Sequence, residues 1–161
     1  MKQISAKKIA VGALIAALYA SLTLVCAAFG LAIGPFELRL SEALTVLPVF
    51  TPWAIPGLFC GCLIANLLCG AATADIVFGS LATLLGAVGS YVFRNVPLLP
   101  YLCPVLANTL IIPPILYLVY GFQSMGFWFL LFSFFVGEAL TAGVGGWMLR
   151  NALNPFQKHF K

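Results

Sequence analysis

The sequence predicts an all-α membrane protein of six transmembrane helices with both termini on the cytoplasmic side. Three observations carry that expectation. The 161 residues are 63% hydrophobic and only 7% charged, and the mean hydropathy is +1.10. Apolar runs near the ~20 residues that a spanning helix needs recur from end to end, which leaves room for about six crossings. Basic residues gather at the two ends: Lys2, Lys7 and Lys8 before the first run, Arg150, Lys158 and Lys161 after the last. Positive residues mark cytoplasmic ends, so an even number of crossings is expected. A soluble fold of this composition would expose apolar patches far above the few hundred Å² that soluble monomers tolerate.

Each helix has its own boundary signals. The first covers 9–29 and ends at Gly30, with Gly34-Pro35 as the following turn. It is long enough to be a retained helix rather than a signal peptide. The external segment FELRLSE follows, and the second, short helix covers 41–50 with Ser41 as N-cap. Pro48, Pro52 and Pro56 turn the chain at the inner side, where Trp53 is an interface anchor. The third helix covers 55–69, GAATAD makes an outer turn, and the fourth covers 75–93 with Thr73 or Asp75 as cap and Arg94 as inner stop. The fifth covers 101–120, and Pro113-Pro114 is expected to bend or open it, freeing carbonyls toward a cavity. GFQSMG is the last outer turn, and the sixth helix covers 127–153. The whole of 1–161 reads as a single integral membrane domain.

Several function classes drop out. There is no basic face for nucleic acid and no Walker motif, so any ATP must be hydrolysed by a partner. No nucleophile or metal-ligating set points to an enzyme, and neither metal nor cofactor is expected. Cys26, Cys60, Cys62, Cys69 and Cys103 stand in apolar surroundings and read as packing residues, and the lone His159 is in the tail.

The strongest functional signal is Glu138, in FFVGEALTAGVGGWM, the sole charge between Arg94 and Arg150. A charge in mid-bilayer costs at least ~3 kcal/mol, and such residues face an interior cavity on a ligand or ion path. Asn66 and Asn108 join it as buried polar candidates, with Thr83 and Thr141 as additions, since unpaired amides in lipid are unfavourable. A packing network would account for the asparagines equally well. Glu37, Arg39 and Glu42 form an outer acidic–basic cluster that either binds ligand through charge-assisted hydrogen bonds or is a solvated loop. Asp75 is explained by capping or by ligand contact. Phe36, Tyr117, Tyr120, Phe127 and Trp128 lie near the outer half, where a flat heterocycle could stack or an interfacial belt could form. On the first helix, Ala13, Ala16, Ala17 and Ala20 make a small-residue face fit for close helix approach. Gly57, Gly61 and Ala65, and likewise Ala82, Gly86 and Ser90, repeat that spacing.

The block RLSEALTVLPVFTPWAIPGLFCGCLIANLL, followed by DIVFGSLATLLGA, resembles the QueT family. These are substrate-binding S components of energy-coupling-factor (ECF) transporters. The resemblance runs from the first helix to Gly137-Glu138. It implies an S-component-like bundle in a bacterial plasma membrane, a transmembrane coupling subunit and two ATPase subunits as partners, and docking through the alanine face. It also implies a 7-deazaguanine ligand, a queuosine precursor such as preQ0 or preQ1. Glu138 with Asn108 or Asn66 would read the ring edge, and Glu37, Glu42 or Asp75 would meet a cationic arm. Two rivals stand beside it: an S component for another vitamin or heterocycle, and a proton-coupled secondary transporter with Glu138 as the titrating group.

Overall fold

A computed structural model describes residues 6–32 and 38–155. Six helices account for most of them: α1 (Ala6–Ala28), α2 (Leu40–Val49), α3 (Ala54–Leu68), α4 (Asp75–Val92), α5 (Leu99–Leu118) and α6 (Phe127–Leu153). Four of these, α1, α4, α5 and α6, are long and apolar enough to cross a membrane; α2 and α3 are shorter apolar helices. Glycines in the left-handed region, where a side chain would be strained, turn the chain at Gly30, Gly70, Gly121 and Gly126. Pro104, Pro113 and Pro114 lie within α5, which continues through them as a helix.

α2 is wound as a 3-10 helix. That geometry rises ~2.0 Å per residue against ~1.5 Å in an α-helix, so ten residues cover ~20 Å. The short segment thereby returns along most of α1. Its upper end is pinned where Leu40 N donates to Cys26 Sγ (3.4 Å) and the Thr23 and Ser41 hydroxyls bond at 2.7 Å. Seven of its ten residues are buried, from Ser41 to Pro48. α3 then runs parallel to α1. A Cβ on Gly57 would come within 2.5 Å of the Gly12 carbonyl oxygen, and one on Gly61 within 2.9 Å of the Ala16 carbonyl oxygen. The two backbones therefore touch, and only glycine fits at these two positions. α4 and α5 close on each other in the same manner, Gly86 against Pro104.

The apolar core has two parts. One lies among α1, α2 and α3 and includes Tyr19, Leu47 and Leu58; the other, among α4, α5 and α6, holds Ala82, Ile112, Leu116 and Phe134. Lys8 stacks over Trp53 (5.5 Å), and Arg150 donates to the Arg94 carbonyl (3.4 Å). With Leu149, Leu153, Val11 and Ile55 all packed against the first core, these contacts gather the described basic residues other than Arg39 at one end of the bundle. Asp75, Arg39 and the glycine turns lie toward the other. α4 and α6 each contain a π-helical turn, over Asp75–Gly79 and Ala139–Gly145.

Candidate functional site

Between the two apolar cores sits a polar cluster. One cavity is lined by Arg39, Glu42, Asp75, Thr83, Asn108 and Glu138, with Gly79, Ile112 and Phe134 as its apolar wall. Residues far apart in sequence, from the start of α2, from α4, from α5 and from mid-α6, thus meet at one place. The 3-10 winding explains the first of them. At three residues per turn, Glu42, Thr45 and Pro48 stack on one inward face, and all three are buried. Glu42 is 2% exposed. The expectation of an outer-loop position for Glu42 is corrected by this winding, which turns the carboxylate into the bundle.

The polar groups are held in two chains of hydrogen bonds. In the first, the Tyr19 hydroxyl and the Asn108 amide (3.3 Å) both donate to the Glu42 carboxylate. In the second, Arg39 Nη1 donates to Asn66 Oδ1 (2.9 Å), and Asn66 Nδ2 donates to the Asp75 carbonyl oxygen (3.1 Å). Arg39 is further anchored by Nε to the Ala32 carbonyl oxygen (3.2 Å). Asn66 is thus the bridge between Arg39 and α4 and does not line the cavity. Asn108 faces Glu42, where a pairing with Glu138 over a ring edge was one expectation.

Asp75 does not cap α4; no side chain caps the π turn it opens. Its backbone N–H donates to the Tyr120 hydroxyl (3.3 Å), and its carboxylate faces the cavity. Asp75 Oδ1 is buried and accepts no hydrogen bond from any described residue. Such an acceptor is costly by ~1–3 kcal/mol unless a donor reaches it. Glu138, 7% exposed, closes the cavity from the last residue before the π turn of α6. The π turn of α4 lines the cavity through Asp75 and Gly79, and Glu138 immediately precedes the π turn of α6.

The cavity itself is tight. Its free space is about 20 Å³, room for about one water. A heterocycle enters only if these side chains swing apart. The composition is one-sided as well: three carboxylates face one guanidinium. An excess of buried acid favours a ligand that brings N–H donors or positive charge.

The family model described as "QueT transporter" matches residues 9–155. The chain belongs to the QueT transporter family. No curated protein and no solved structure matches it. Membership and the four long apolar helices together make this QueT chain an integral membrane protein of a transporter family.

Other expected site residues of this QueT chain are placed as follows. Glu37 and Phe36 lie outside the described residues. Tyr117, Phe127 and Trp128 stack edge to face on one another, at 5.7 and 5.5 Å between centroids, and Trp128 is 77% exposed. They form a belt and take no part in the cavity. Thr141 turns back to the Gly137 carbonyl oxygen (2.9 Å) within α6. The alanine face of α1 is divided: Ala20 is buried and Ala16 backs onto Gly61, whereas Ala13 and Ala17 are exposed.

Sequence reasoning missed four contributors, Tyr19, Gly79, Ile112 and Phe134. Tyr19 had a legible signal. It lies 13 residues into α1, ~20 Å along the axis, far from an interface, and a tyrosine hydroxyl at that depth must find a partner. Phe134 is indistinguishable by sequence from its neighbours in FFVGE. Gly79 has Asn66 Nδ2 only 3.2 Å from where its Cβ would stand, so a side chain there would press on the Arg39–Asn66 bridge.

Proposed function

We propose that the chain is the substrate-capture subunit, or S component, of an ECF importer, and that it binds a 7-deazaguanine queuosine precursor in the cavity of Arg39, Glu42, Asp75, Asn108 and Glu138. The observation that carries this reading is the convergence of three carboxylates on one buried cavity, with an unsatisfied acceptor on Asp75. A guanine-like edge offers N–H donors that a carboxylate accepts in pairs, and the Asn108 amide is a donor for an exocyclic carbonyl. The excess of acid favours the cationic aminomethyl form over the cyano form. Glu42 and Glu138 read the ring edge in this scheme, and Asp75 meets the arm.

Energy comes from partners: a transmembrane coupling subunit and two ATPases. The exposed side of α1, at Ala13 and Ala17, is the docking face, while Ala16 and Ala20 serve the seam with α3. Six crossings with both termini cytoplasmic fit the gathering of Lys8, Arg94 and Arg150 at one end.

Calorimetry of the purified chain against aminomethyl- and cyano-7-deazaguanine, guanine and a set of vitamins tests the ligand. Saturable binding restricted to 7-deazaguanines is expected; binding of a vitamin alone points to another S component. Uptake by the isolated chain in vesicles, abolished by collapsing the proton gradient, would contradict the reading and favour a secondary transporter. Ala17→Trp is expected to abolish uptake in cells while leaving ligand affinity of the purified chain intact.

A further inference from the structure

α5 and α6 leave a groove between them that the polar cluster does not use. It has a volume of about 420 Å³ and is almost wholly apolar, with Leu102 and Val105 on one wall, Phe135 and Val144 on the other, and Ala139 and Gly143 as its floor. At the basic end it opens into a polar hollow of about 320 Å³, bounded by Asn95 and Pro97 of the α4–α5 turn and by Arg150. Leu98, Tyr101 and Trp147 line both spaces, so the two are continuous. Leu98 and Trp147 are 71% and 53% exposed.

The hollow carries positive charge without a matching acid among the described residues. Arg150 is fixed by hydrogen bonds to the Tyr101 hydroxyl (3.3 Å) and the Arg94 carbonyl oxygen (3.4 Å), and Arg94 lies over the Tyr91 ring at 4.4 Å. The chain has four acidic residues. Glu42, Asp75 and Glu138 line the cavity described above, Glu37 lies outside the described residues, and Glu138 stands twelve residues before Arg150, ~18 Å along the helix. A guanidinium carries five N–H donors, and protein acceptors take two of those on Arg150.

We propose that groove and hollow together hold one anionic glycerophospholipid, its phosphate on Arg150 and one acyl chain laid along the groove. The dimensions agree. From Phe135 to Trp147 the groove follows α6 for ~18 Å, close to the ~15 Å depth of one leaflet of a ~30 Å hydrocarbon core. Charge complementarity selects an anionic headgroup, and the continuity of an apolar trough with a basic mouth selects a lipid over a soluble anion.

The test uses the full chain with Trp53→Phe and Trp128→Phe, so that Trp147 is its sole tryptophan, reconstituted in bilayers. Phosphatidylglycerol and phosphatidylcholine, each brominated on the acyl chain, are compared as quenchers of Trp147 fluorescence. About a fivefold preference for the anionic lipid is expected, the scale set by one basic residue at a membrane surface. Arg150→Gln should remove the preference. Gly143→Leu should weaken it while keeping the charge, because a Cβ at Gly143 sits at ordinary contact distance (3.9 Å) and the longer side chain fills the trough. Equal quenching by the two lipids in the parent overturns the proposal, as does a preference left undiminished by Gly143→Leu or by Arg150→Gln.

Discussion

The α1–α3 seam and the α5–α6 seam use the same residue types to opposite ends. Both are floored by small side chains, Gly57 and Gly61 in the first, Ala139 and Gly143 in the second. In the first, the backbones touch; a Cβ on Gly57 would stand 2.5 Å from the Gly12 carbonyl oxygen. In the second, a Cβ on Gly143 would meet the Glu138 carbonyl oxygen and Val105 at 3.9 Å, ordinary contact distance, and an open groove runs along the seam. Small residues at a spacing of four therefore permit close approach without dictating it. What decides is the neighbouring structure. The Tyr19–Glu42 bond ties α1 to α2 and to the polar cluster, whereas along the α5–α6 seam Phe135 and Trp147 line an open groove. One seam of the bundle is closed and lies beside the polar cavity; the other leaves an open groove.

Breaking the tight seam gives the largest expected effect. Gly57→Val cannot be accommodated without moving α1, and a loss of ~3 kcal/mol is expected, at the upper end for overpacking; thermal unfolding in detergent reads it. Loss of a donor to the buried Glu42 carboxylate comes next. Tyr19→Phe leaves packing intact and removes one hydrogen bond, for ~1 kcal/mol of stability and about fivefold in ligand affinity. A preserved affinity would show that the α1 side of the cluster is structural alone. At the open seam Gly143→Leu is expected to change stability by no more than ~0.5 kcal/mol. A drop comparable to that of Gly57→Val would mean that the second seam closes in the membrane, and the contrast would fail.

Much of the bundle was legible because apolar runs and their stops are one-dimensional signals. Gly30, Gly70, Arg94 and Gly121 punctuate the chain close to where the helices end. Glu138 and Asn108 were conspicuous because each is a polar residue within an apolar run, whereas Arg39 and Asp75 were legible only as members of an outer charged cluster or a helix cap. The orientation of Glu42 was not readable. FELRLSE has the composition of a solvated loop, and only the 3-10 winding of the next ten residues, fixed by packing on α1, carries Glu42 inside. The division of the alanine face was hidden for the same kind of reason. Ala13, Ala16, Ala17 and Ala20 share a spacing, and α3 alone determines which of them stay exposed. The π turns at Asp75–Gly79 and Ala139–Gly145 have no sequence signature of their own.

The direct test of the polar cluster as a ligand site is a calorimetric titration of aminomethyl-7-deazaguanine into the purified parent and into Asp75→Asn. Asn at position 75 preserves shape and removes the charge of the carboxylate whose Oδ1 accepts no hydrogen bond from the described residues. At least about a tenfold loss of affinity is expected, the scale of one hydrogen bond to a charged group. Equal affinity in the two proteins would contradict the account.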